Sequence, residues 1–61
     1  MRDPKRISKF LEVLGQYWST VPDWRFGQFI TNIARFYGRD IWFLEEDEFI
    51  EIVKKMFEGG E

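Results

Sequence analysis

The sequence predicts an all-α fold, a compact three-helix bundle over about residues 4–18, 24–37 and 46–58 with an aromatic-rich core. Three observations predict it. Each segment carries apolar residues at helical spacing, each opens on a helix-start signal, and Pro22 and the Gly38–Asp40 stretch interrupt the pattern between them. A spacing also recurs three times: Phe10-Leu11, Leu14, Tyr17-Trp18; then Phe29-Ile30, Ile33, Phe36-Tyr37; then Phe49-Ile50, Val53, Met56-Phe57. Three helices that each bury a broad face in one core converge on such a spacing without any duplication.

The first helix starts at Asp3-Pro4, with Asp as N-cap and Pro at the first helical position, where no amide hydrogen is needed. Ile7, Phe10, Leu11, Leu14 and Trp18 form its apolar stripe, and Lys5, Lys9, Glu12 and Gln16 lie opposite. Gly15, inside the pattern, costs about 1 kcal/mol relative to Ala and is expected to admit a close neighbour. Pro22 pushes Val21 toward extended backbone and ends this segment.

The second helix takes Asp23 as its expected N-cap and Phe26, Phe29, Ile30, Ile33 and Tyr37 as its stripe, with Phe36 widening one edge. Trp24 falls off the stripe in the expected first turn, beside Arg25, where it is either exposed or covered by something outside this helix, and Gly27 leaves room for a neighbour. Gly38 suits the left-handed position just past the helix end. Residues 39–44 follow as a connector, not a strand, because an isolated strand has nothing to pair with. Its Trp42 is expected to plug into the bundle. Glu45, Glu46, Asp47 and Glu48 then place carboxylates at the positive end of the third helix, Phe49, Ile52, Val53 and Met56 form its face, and Gly59-Gly60 stops it.

Sixty-one residues make a single domain, 1–61, near the lower limit for one hydrophobic core. Chains of this size usually need a disulfide, a metal or a partner. Cysteine and histidine are both absent, so disulfides, thiol nucleophiles, the usual zinc ligands and the usual general base are absent too. The hydroxyls of Ser8, Ser19, Thr20 and Thr31 have no base placed by sequence to activate them. We therefore expect no enzyme and no cofactor. Asp47 with Glu51, and Glu48 with Glu51, have the helical spacing of a hard-cation site, but a carboxylate-rich helix start accounts for the same residues.

The resource that remains is aromatic area: three Trp, two Tyr and seven Phe. These rings either fill an unusually aromatic core or bury against a second copy. Trp18, Trp24, Trp42, Tyr17 and Phe36 exceed what one small core easily hides. Exposed Trp and Tyr beside Arg have the composition of interface hot spots. The expected function is a non-catalytic protein-interaction module that self-associates as a homodimer or other oligomer. Its expected surface comprises Trp24, Arg25 and Gln28, with Trp42 nearby.

The alternative is a small nucleic-acid-binding accessory protein. The net charge of −2 divides into +4 over residues 1–39 and −6 over residues 40–61. Arg2, Lys5, Arg6 and Lys9 form a basic strip suited to phosphates, and Gln28, Thr31, Asn32 and Arg35 offer donors on the second helix. The simpler expectation is that the basic and acidic parts face each other within the fold or across a dimer. No apolar run approaches the ~20 residues needed to span a bilayer, and the basic start lacks the apolar stretch of a secretory signal, so a cytoplasmic protein is expected.

The run Pro22-Asp23-Trp24-Arg25-Phe26-Gly27-Gln28-Phe29-Ile30, with Trp42-Phe43-Leu44-Glu45-Glu46-Asp47-Glu48-Phe49, resembles an uncharacterised family of short bacterial and phage proteins. That family carries a Pro-Asp-x-Arg-Phe-Gly-Gln segment and a Glu-Asp-Asp-Glu helix start. Glu46 stands here in place of Asp. The stretch from Trp18 to Ala34 more loosely resembles the YihD-like bacterial proteins. The resemblance implies an all-α single domain of bacterial or phage origin and implies no activity.

Overall fold

The computed structural model describes residues 3–59. It holds three helices, α1 (Lys5–Trp18), α2 (Phe26–Tyr37) and α3 (Glu46–Phe57), with no strand among the described residues. The expected all-α three-helix bundle is present.

Local chemistry explains each boundary. The Asp3 carboxylate accepts the Lys5 N–H at 2.9 Å, which satisfies one of the amide donors left free at a helix start. Helix α2 begins two residues later than expected, and Asp23 is not its cap. Trp24 N–H donates instead to the Val21 carbonyl at 3.0 Å, closing a turn. Arg25 is extended (φ −72°, ψ 160°), and its N–H donates to Gln28 Oε1 at 2.8 Å. The reciprocal amide of a capping box, three residues into the helix, fixed the start where the Asp23 signal did not. Helix α3 starts the same way: Glu45 is extended and its N–H donates to Glu48 Oε1 at 2.9 Å. Gly38 ends α2 at φ +79°, where its N–H donates to the Ala34 carbonyl at 2.9 Å.

Helices α1 and α3 lie side by side and run in the same direction. Arg6 meets Glu46, Phe10 meets Phe49, Tyr17 meets Phe57, and the Tyr17 hydroxyl meets Glu58; every pair is separated by 39 to 41 residues. A constant offset along two helices of equal rise is the signature of a parallel pair. Helix α2 runs back between their ends. It starts beside the last turns of α1 and α3, where Phe29 packs on Trp18 and Phe57, and the 38–45 connector leads from its other end to the start of α3. Helix α3 is the hub, because α1 and α2 each make their closest backbone approaches to it and few to each other.

Among the described residues the buried core is Leu14, Phe29, Ile33, Phe49 and Val53, with no buried polar residue. All five are first or central positions of the thrice-repeated spacing. The remaining first position, Phe10, is half-buried with its ring 5.7 Å from that of Phe49. The repeat therefore marks burial, as convergence on one core requires. Its flanking positions are covered unevenly. Ile7 and Leu11, expected in the α1 stripe, stand exposed, and α1 and α2 approach each other less than either approaches α3.

Two further expectations are corrected. A Cβ built at Gly15 or Gly27 meets nothing within 4 Å, so neither glycine admits a close neighbour. Trp42 does not plug into the bundle; it is 80% exposed. The Leu44 N–H donates to the Ile41 carbonyl at 3.1 Å, so Ile41–Leu44 is a β-turn. Ile41 and Leu44, at the turn's ends, pack on the core, which leaves Trp42 and Phe43 at its corner. The Asp40 carboxylate accepts the Trp42 N–H at 2.9 Å and holds the approach to that corner.

Candidate interaction surface

Of the five rings judged too many for the core, three are half-buried and two are exposed. Trp18 stacks on Phe29 with centroids 5.5 Å apart and donates its indole N–H to the Trp24 carbonyl at 2.8 Å. Trp24 lies 6.0 Å from the ring of Phe57 and 6.5 Å from that of Phe29. Tyr17 lies 5.6 Å from Phe57. Offset and tilted pairs at these separations are favourable ring geometries. Together they close the end of the bundle where α1 and α3 finish. Phe36 and Trp42 remain exposed.

The expected surface residues consequently separate. Trp24 and Gln28 line one shallow cleft of about 380 Å³ with Gly27, Thr31, Asn32 and Arg35, and the exposed Arg25 lies beside it as the cap of α2. Trp42 sits at the opposite end of α3, about 18 Å away along a helix of 12 residues. Trp24 serves chiefly as packing. Trp42 and its neighbour Phe43, which is 82% exposed, are little covered by the described residues. Phe43 was missed because four consecutive apolar residues do not say which two will anchor. Asp40, whose carboxylate accepts the Trp42 N–H two residues on, was the available signal.

Beside this corner, a cleft of about 570 Å³ runs between α1 and α3. Phe10, Val13 and Ile50 supply its apolar surface. Arg6 and Lys9 line the α1 side; Glu45, Glu46, Asp47 and Glu51 line the α3 side. The basic and acidic parts of the chain do face each other here, and Arg6 Nε donates to Glu46 Oε1 at 3.0 Å. The half-exposed pair contributes little to stability, of order 0–1 kcal/mol. It also removes Arg6 from any basic strip, while Lys5 and Lys9 stay exposed and Arg2 lies outside the described residues. Among the described residues, no group of three or more carboxylates is arranged to hold a metal, and no helix is long and apolar enough to cross a membrane.

One titration is displaced. Tyr17 donates its hydroxyl to Glu58 Oε2 at 2.6 Å, and this bond raises the phenol above its ordinary value of 10.0, assisted by partial burial and by the negative charge of Glu58 and Glu51. A raised value in the folded state means that the bond's contribution is present below pH ~10 and is lost as pH rises through the folded value. Glu58→Gln is expected to move the tyrosinate absorbance step to lower pH. An unchanged alkaline titration would show that the bond does not hold in solution.

Compared with protein-family models, with curated proteins and with solved structures, the chain matches none of them.

Proposed function

We propose that this chain is a small non-catalytic protein-interaction module that self-associates. The observation that supports the reading is the imbalance of its apolar residues. Ile7, Leu11, Phe26, Phe36, Trp42 and Phe43 stand exposed among the described residues, against a buried core of five. A domain this small gains little from so few buried side chains, and covering the exposed ones offers further stabilisation at the same rate per unit area. Exposed large apolar side chains in this number are characteristic of interaction surfaces. A bacterial or phage setting belongs to the same proposal, on the resemblance carried by residues 22–30 and 42–49.

Sedimentation equilibrium tests the reading. A dimer or higher oligomer is expected at high micromolar concentration, dissociating on dilution. A strict monomer across that range overturns it. The second reading, nucleic-acid binding, is supported by the α2 cleft, where Gln28, Thr31, Asn32 and Arg35 stand together with no carboxylate among the lining residues. On that reading a low-salt gel shift with generic DNA or RNA shows binding that falls steeply with added salt.

A further inference from the structure

We propose that two copies of the chain pair by exchanging their Ile41–Leu44 turns, with Trp42 and Phe43 of each copy seated in the α1–α3 cleft of the other. This rests on the self-association reading and specifies its surface.

The turn is built to present these rings. Its two ends are packed on the core and its closing hydrogen bond is in place, so the corner residues project outward at 80% and 82% exposure. The cleft has the complementary shape and chemistry. Its volume of about 570 Å³ lies within the range of sites that take ligands of several rings. Phe10, Val13 and Ile50 offer apolar contact to both aromatic side chains. An indole suits the rim especially well: its face attracts the Lys9 ammonium, and its N–H edge can donate to the carboxylates of the facing wall.

The placement of turn and cleft on one molecule favours reciprocal exchange. Only Leu44 separates Phe43 from Glu45, which already lines the cleft, and two residues of chain span at most about 7 Å. A two-fold axis passing between neighbouring projection and recess brings each projection to the other copy's recess, which is the self-complementarity a two-fold interface requires. Four rings bury on the order of 500–800 Å² at this exposure, and the cleft walls they cover add to it, approaching the ~1,000 Å² that a specific interface needs. A lipid surface is the less suitable occupant. Asp40 precedes the corner and Glu45, Glu46, Asp47 and Glu48 follow it, and anionic headgroups repel such a segment.

The test is sedimentation equilibrium on the full chain and two variants, each checked for helicity by circular dichroism. W42A/F43A removes the projection without touching the core. V13W fills the recess with a ring of its own. The wild-type chain is expected to dimerise, and W42A/F43A to weaken dimerisation by at least about 100-fold. Mixing the two variants is expected to recover part of the loss, about 10-fold over either variant alone, because the mixed pair retains one of the two exchanges, an intact projection in an intact recess. If W42A/F43A dimerises like the wild type while Leu11→Glu dissociates it, another face carries association; the exchange fails and self-association stands. A wild-type monomer at every concentration sinks both, and if that monomer floats with phosphatidylcholine vesicles the corner is a lipid anchor instead. Should V13W lose its helicity, W42A/F43A alone decides the outcome.

Discussion

Phe29→Ala is expected to leave the chain largely unfolded at 25 °C. Phe29 is completely buried, and it is the ring on which the others converge. Trp18 stacks on it at 5.5 Å, Phe57 meets it at 5.9 Å and Trp24 at 6.5 Å, so one side chain ties α1, α2, α3 and the 19–25 turn together. Truncating a buried Phe to Ala costs about 3–5 kcal/mol, part of it for the cavity that remains. A chain of 61 residues has a total stability of roughly 3–9 kcal/mol at the usual stability per residue. The loss is therefore comparable to the whole stability. Far-UV circular dichroism and urea titration are the measurements. Phe29→Leu, which keeps most of the volume, is expected to fold with a lower urea midpoint. If Phe29→Ala keeps wild-type helicity and midpoint, the ring cluster is not what holds the helices together.

Trp18→Ala is expected to cost about 3 kcal/mol, the low end of the range for large aromatics because Trp18 is only half-buried. Its importance comes from position. The backbones of α1 and α2 approach each other less than either approaches α3, so side chains must bridge them. Trp18 does so through Phe29 and through Phe26, whose ring lies 5.6 Å away. Its indole also donates to the Trp24 carbonyl and so holds the turn that precedes α2. In a domain of this size the loss corresponds to a fall in Tm of more than ~12 °C. Trp18→Phe keeps a ring but loses the donor, and about 1 kcal/mol, or ~4–8 °C, is expected. A Trp18→Phe chain that melts with the wild type would mean that the hydrogen bond contributes nothing. A Trp18→Ala chain that melts with the wild type would place the α1–α2 tie elsewhere.

These expectations divide along the line between local and non-local structure. The helices and their ends were largely legible because they depend on residues within one turn of each other. Asp3 reaches Lys5, Gly38 takes the left-handed position, and the acidic start of α3 follows from the unpaired amides of its first turn. The late start of α2 was readable in principle, since Gln28 stands three residues after Arg25. Asp23 carried the stronger preference as a single residue and drew the boundary too early. Trp24 was then placed in a first turn, either exposed or covered from outside its helix; it belongs to the preceding turn and is covered from α3, where it packs on Phe57.

The candidate surface was legible only in part. Trp42 was identified, but in company with Trp24, although the two sit at opposite ends of the bundle. Distance between residues of different helices is set by how those helices pack, and periodicity carries no information about it. The same holds for Ile7 and Leu11, which have the spacing of core residues and lie uncovered.

By itself, then, the sequence determined three helices and the apolar stripes within which the five core positions lie, because helical period and capping act over three or four residues. Tertiary structure alone decided that α3, and not the middle helix, is the hub. It also decided which flank of α1 stays bare, and that the Ile41–Leu44 turn spends its aliphatic ends on the core and its aromatic corner on solvent. The physical reason is area. One helix can cover only one flank of each neighbour, and apolar residues beyond that reach remain exposed whatever their spacing.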